Sequence, residues 1–334
     1  NNIKKGGLSA LAGSLAMVSA HAVEYSVSGD AQAVYSSAQG NDPENEAKNG
    51  KGIGVDTDLA FSAAGELDNG WTVSINSLYN TDGTVTNSSN QMTIGMGSLG
   101  TLQFNDVLGS AANGIDDVMP KAYEEPWDGT TTTSEFNIFG SATTSGSLDY
   151  RTPSFDMMGL TLSATATYDP QAGVDAPSAG SVGGDGASGE AFTVKIAHDS
   201  GITIGGGDES VGNTDATVGQ DAATGYILYA NGPVSVGYQE FYYNAATGGA
   251  DSEGDGYAIA YTAGDISFSY SVQKETTQAI GATAALEEEE VSAIQASYTM
   301  GAMTIGASMY ETDNIEGVAS TKYEETELSV SFAF

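Results

Sequence analysis

The chain contains no cysteine. Disulfide staples, thiolate metal sites and cysteine nucleophiles are excluded together. Basic residues are almost as scarce: 9 Lys and Arg stand against 44 Asp and Glu, a formal net charge of -35 over 334 residues. No basic stripe is available to neutralise a nucleic-acid backbone. A coiled coil or long helical bundle needs many Lys and Arg beside Ala, Glu and Leu, and is excluded by the same shortage. Long apolar runs are missing too. The run Gly7–Val18 is too short to cross a bilayer as a helix.

What is present is 17 Tyr, 10 Phe and short runs of Val and Ile, which acidic disordered chains lack. Residues 1–22 stand apart from the rest. Lys4 and Lys5, the apolar run and the Ala20-His21-Ala22 site form the three-part pattern of a cleaved signal peptide; an N-terminal amphipathic helix is the plainer alternative. With 1–22 removed, 23–334 is expected to be a single domain whose net charge falls to -37, since Lys4 and Lys5 are lost and no acid is.

Helical periodicity is almost absent and two-residue alternation is everywhere. Ile53, Val55, Thr57, Leu59, Phe61 and Ala63 alternate with small or polar residues, as do Ile266, Phe268, Tyr270 and Val272, and Leu328, Val330, Phe332 and Phe334. Each stretch reads as a strand with one apolar face. Connections alternate as well. Tight Gly, Asn and Asp turns such as Leu67–Gly70, His198–Gly201, Asn231–Pro233, Ala263–Asp265 and Met300–Ala302 take turns with long acidic ones at 37–51, 106–140, 169–189, 244–254 and 275–287. The spacing predicts sixteen strands: 24–36, 52–65, 70–79, 90–97, 101–105, 145–152, 159–168, 190–197, 202–209, 222–230, 234–243, 256–262, 265–274, 288–299, 302–312 and 323–334. Short turns on one rim and long loops on the other describe an all-β transmembrane antiparallel barrel, with periplasmic turns and extracellular loops. Tyr229, Tyr261 and Tyr298 each precede a turn glycine by three residues, and Tyr238, Tyr270 and Tyr310 sit near the far ends of strands, as two aromatic girdles would. Ordinary cross-strand aromatic packing is the alternative.

Two features carry a specific resemblance. Leu328, Val330, Phe332 and the terminal Phe334 resemble the assembly signal of bacterial outer-membrane barrels. The longest connection, between the fifth and sixth strands, runs from Gly100-Thr-Leu-Gln-Phe-Asn-Asp106 through small residues to Asp116-Asp117 and Lys121-Ala-Tyr-Glu-Glu-Pro-Trp-Asp128. It is similar to the third loop of Gram-negative general diffusion porins, especially the alphaproteobacterial branch. The resemblance implies a loop folded into the lumen, a homotrimer in outer-membrane lipid, export through the signal peptide and insertion by the outer-membrane assembly machinery.

A sixteen-stranded barrel is wide enough to hold water, so it sieves only when something occupies its lumen. The acids available to such a constriction are Asp106, Asp116, Asp117, Glu124, Glu125 and Asp128. Alternation places Asp30, Asp56, Asp58 and Asp149 on the lumen wall, with Arg151 (the only arginine) and Lys195 as its isolated cations. General porins set a basic cluster opposite the loop, and the early strands here carry none on the inward face. A negative lumen predicts a passive channel for small hydrophilic solutes that prefers cations.

Other constellations carry less. Asp251, Glu253 and Asp255 lie in an acidic, Gly-containing stretch that suits a loop-bound Ca or Mg ion, without EF-hand spacing. Gly205–Asp208 and Gly183–Gly186 open no helix and lack a P-loop lysine. His198 has no second histidine after residue 22, and no serine has a plausible base, so no enzyme activity and no cofactor are expected. A sugar-selective porin and a surface adhesin are the alternatives. The first would want an aromatic track in the lumen, the second a fixed repeat that these loop lengths do not show.

Overall fold

In the computed structural model, residues 24–41, 49–81, 84–107, 109–126, 139–143, 145–172, 187–212, 219–245, 251–278 and 286–334 are described. The alternating stretches form strands at Glu24–Gly40, Gly50–Glu66, Thr72–Asn80, Thr86–Gly95, Thr101–Asp106, Leu148–Arg151 with Phe155–Met157, Leu160–Ala172, Ala187–His198, Ile202–Val211, Gln220–Asn231, Val234–Ala245, Asp251–Ala263, Ile266–Gln278, Glu289–Met300, Met303–Asp313 and Lys322–Ala333. Leu148–Arg151 and Phe155–Met157 both pair with Leu160–Ala172, so they are two halves of one strand broken around Pro153. That gives sixteen antiparallel strands. Each pairs with its sequence neighbours, and the last pairs with the first, from Asp30 opposite Ala333 to Gly40 opposite Tyr323. Gly29 and Phe334 exchange backbone hydrogen bonds of 2.8 and 2.9 Å beside this seam. The sheet closes on itself and leaves no edge to aggregate.

The tight turns follow from sequence. Asn231 pairs with Val234, Ala263 with Ile266 and Met300 with Met303, which leaves two central residues in each. The first is Gly232, Gly264 or Gly301, at φ of 59°, 62° and 63°. A type II′ hairpin requires such a residue there, and its twist matches that of the strands. A further turn, at Met158-Gly159, joins the broken sixth strand to the seventh.

The barrel is apolar outside and polar inside. Ile53, Val55, Phe61, Phe192, Ile259, Phe268, Ile294 and Leu328 face outward and are exposed. Gln239, Gln273, Gln295, Glu209 and Asp149 are among its largest fully buried side chains. An apolar belt of this extent is a lipid-facing surface. Tyr229, Tyr261, Tyr298, Tyr238 and Tyr270 are outward and exposed, as two girdles require. Tyr310 is not among them: it is 2% exposed and points inward with Ser308 and Thr312. Met309 holds the outward position there. Several strands also run further than expected. Asp251–Asp255, expected in a loop, is paired ladder opposite Lys274–Gln278.

Candidate functional site

The third long connection leaves the Thr101–Asp106 strand and turns into the barrel. Its root is held by side chains pointing inward from the strands beside it. Gln103 Nε2 donates to the Gly109 carbonyl at 3.0 Å, and Asn105 Nδ2 to Ser147 Oγ at 3.1 Å. Asp149, with no exposed surface, accepts from Ala111 N at 2.7 Å and Thr167 Oγ1 at 2.6 Å, and pairs with Arg151 Nη2 at 3.3 Å. Expected as a lumen-wall charge, it is also the fastener of the descending limb. A buried carboxylate is tolerable only with such donors around it.

Beyond the root, three inward glutamines on three strands hold the loop to the wall. Gln239 Nε2 reaches the carbonyls of Ile115 (3.0 Å) and Asp116 (2.8 Å) and Thr224 Oγ1 (2.7 Å), while its Oε1 accepts from Val118 N at 3.0 Å. Gln273 Nε2 donates to Asp117 Oδ2 at 2.8 Å. Gln295 accepts from Tyr123 N at 3.2 Å and donates to the Glu124 carbonyl at 2.7 Å. The limb ends near the barrel seam, where Gln32 Nε2 donates to Tyr123 Oη at 2.7 Å and Tyr310 Oη to Glu124 Oε2 at 3.1 Å. The returning limb is caught by Glu209, which accepts from Gly140 N at 3.0 Å and Thr143 Oγ1 at 2.8 Å. Sequence reasoning passed over all three glutamines and Glu209. Their signal was a long polar side chain at an inward mid-strand position.

Inward glycines make the room. A Cβ on Gly207 would stand 2.5 Å from the Phe139 ring, one on Gly237 2.8 Å from Pro120, and one on Gly306 2.4 Å from the Tyr123 ring. The Gly205–Gly207 run, which opens no helix and carries no P-loop lysine, has a packing role. Around Phe139 the loop and wall form a small apolar cluster with Ala112, Ala191 and Ala222.

The expected constriction acids divide. Asp116 accepts from Asn113 Nδ2 (3.2 Å) and Asp117 N (2.8 Å). Burial pushes its carboxyl up to about 7, with the neighbouring Glu125 and Asp117 charges adding to the rise and its backbone hydrogen bond opposing it. Asp117 is raised by burial as well, against the Met119 and Gln273 hydrogen bonds that favour its charged form. Glu125 pairs with Lys121 one helical turn's spacing away. Asp117 and Glu124 are tied to the wall. Asp106 shares the outward parity of exposed Phe104, pairs across the strand with Asn90, and does not join the others. Asp128 lies outside the described residues.

Beyond the root, the descending limb's hydrogen bonds to the wall run from the Val234–Ala245 strand round to the seam. Ahead of the root, the first three strands present Asp30, Asp56, Asp58, Ser62 and Asn76 inward. Asp30 and Asp58 are direct cross-strand partners, and Asn80 Nδ2 donates to Asp56 at 3.1 Å. Lys51, on the second strand, has the outward parity of Ile53 and Val55. On this side of the barrel no described Lys or Arg faces inward. Arg151 and Lys195 face inward elsewhere, on the sixth and eighth strands. Asp251, Glu253 and Asp255 share the outward parity of Tyr257, and among the described residues no group of three His, Cys, Asp or Glu is placed to hold a metal.

A closed sixteen-stranded barrel with a loop fastened inside it is the geometry against which known proteins can be compared. The family model described as Gram-negative porin matches residues 7–334. The chain belongs to that family. As a porin it is a passive channel of the outer membrane, and its crossing elements are strands; among the described residues no helix is long and apolar enough to cross. Solved porins share the fold at low identity. OmpF of Salmonella typhi in complex with daunomycin is 11% identical, with a TM-score of 0.67 over 93% of this chain and 97% of that one. An anion-selective porin from Comamonas acidovorans is 10% identical, with a TM-score of 0.62 over 94% and 100%. A mutant of the Rh. blastica porin is 14% identical, with a TM-score of 0.57 over 93% and 100%. A comparison with curated protein sequences finds no match. One of these neighbours is anion-selective, so the fold alone does not set the sign of the ion preferred.

Proposed function

We propose that this porin is a cation-preferring passive channel for small hydrophilic solutes. The observation that carries the reading is the inward face of the first three strands. It presents Asp30, Asp56 and Asp58 with no inward Lys or Arg among the described residues, while the loop covers much of the remaining wall. Acids between low-dielectric walls focus a negative potential in the passage, which concentrates cations and depletes anions. Passage needs no covalent chemistry. Among the described wall residues the inward tyrosines Tyr226, Tyr310 and Tyr323 are buried and Tyr243 is half-buried against the Phe139 cluster, which argues against the open aromatic track a sugar-selective pore would use. The same reading takes the assembly to be a homotrimer exported through a signal peptide at 1–22.

The test is the reversal potential of single channels in a KCl gradient at low ionic strength. A potential of the sign set by K⁺ is expected, and one set by Cl⁻ would overturn the reading. Migration of the unheated protein on a denaturing gel, against a heated sample, tests the trimer.

A further inference from the structure

Between the descending limb of the loop and the wall of the sixth to tenth strands lies a cavity of about 290 Å³. Both inward-facing cations of the described barrel line it, Arg151 and Lys195. Register explains their meeting. Arg151, Thr165, Thr193 and Gly207 form one cross-strand row, and Ser163, Lys195, Gly205 and Tyr226 form another within two residues of it. Gly205 leaves space beside Lys195 that the Tyr226 hydroxyl enters: a Cβ there would stand 2.3 Å from Tyr226 Oη. Ser110 and Ala111 form the loop side.

The charges are unequally committed. Arg151 is held by Asp149 at 3.3 Å, while its buried Nε makes no hydrogen bond. Lys195 has no carboxylate partner among the described residues. The cavity thus holds one uncompensated positive charge, a fixed and partly exposed guanidinium and a ring of hydroxyls, in a lumen whose other described wall charges are acids. We infer that this cavity is a binding site for the carboxylate of a small hydroxylated solute. A planar guanidinium matches a carboxylate, and the hydroxyls suit a polyol chain. A single net charge favours a monoanion. A dianion would leave one charge unmatched close to the acidic wall.

Binding and conduction separate cleanly, so failure of this inference leaves the channel reading intact. The folded barrel in detergent is titrated calorimetrically with potassium gluconate, glucose and inorganic phosphate at constant low ionic strength. Saturable gluconate binding is expected, with glucose at least about tenfold weaker, since it keeps the hydroxyls and lacks the charge. Lys195→Gln should weaken gluconate about tenfold and Lys195→Arg should retain it, with both variants still folded barrels that conduct KCl. Equal gluconate affinity in wild type and Lys195→Gln would overturn the assignment, as would phosphate binding more tightly than gluconate. Loss of KCl conductance in the wild type would instead strike at the channel itself.

Discussion

Burial against the wall disfavours the ionised form of Asp116 and brings its titration close to neutral pH. The sign of the consequence follows from the direction of the shift. Its carboxyl titrates near 7 in the docked loop and near the ordinary carboxylate value when the loop is free. Ionised Asp116 therefore opposes docking above about pH 7, and that opposition fades as the pH falls. Acidification from 8 to 6 should both tighten the loop and remove one negative charge beside the lumen. Cation preference should fall over that interval, and Asp116→Asn should flatten the change; an Asp116→Asn channel with the wild-type pH profile would show the charge lies elsewhere. Gln239 makes the complementary case. Its amide serves Ile115, Asp116 and Val118 of the loop at once. Gln239→Ala should cost about 1–3 kcal/mol of loop docking, at the lower end where lumen water replaces the lost partner. Proteoliposome swelling in graded sugars should then show a larger size limit, with the barrel still folded.

Strands and loop were not equally legible. All sixteen strands were visible in the apolar alternation, because lipid demands an apolar residue at every second position. Their ends were less visible for the same reason. The demand stops at the lipid boundary, whereas the hydrogen-bonded ladder continues, so Asp251–Asp255 looks like a loop and is strand. On the inward face, polarity satisfies water and a docked loop equally well. Gln239, Gln273, Gln295 and Glu209 gave no sign of being fasteners, and Tyr310 was misplaced in a girdle although its position two residues after Ser308 put it on the inward face. Inward Gly207, Gly237 and Gly306 are a better marker of where the loop lands, since a side chain at any of them would overlap it, although inward Gly52 and Gly54 have open space beside them. Gly306→Val places atoms inside the Tyr123 ring position and should break the 2.7 Å Gln32–Tyr123 hydrogen bond. Single-channel conductance should rise and the loop should become more accessible to protease. Unchanged conductance would mean that Tyr123 moves aside without freeing the limb.

At the scale of the molecule, the scarcity of Lys and Arg becomes a property of the passage. Lys274 is matched by Glu288 and Glu290, Lys322 by Glu311 and Asp313, and Lys121 by Glu125, so most described cations are already committed to local acids. What remains is concentrated unevenly: acids on the first two strands, and the net positive charge beneath the loop at Lys195. The potential a permeating ion meets is a sum over these fixed charges, and salt screens it. The screening length is about 30 Å at 0.01 M and about 3 Å at 1 M, so nearly every wall charge acts on an ion in the first case and only the nearest in the second. The permeability ratio of K⁺ to Cl⁻ should therefore be largest at 0.01 M and approach unity by 1 M. Asp56→Asn with Asp58→Asn should lower it at 0.01 M and leave it nearly unchanged at 1 M. A ratio that the pair does not move at low salt would relocate the selectivity from the strand wall to the loop, where Asp116→Asn would then have to carry the whole effect.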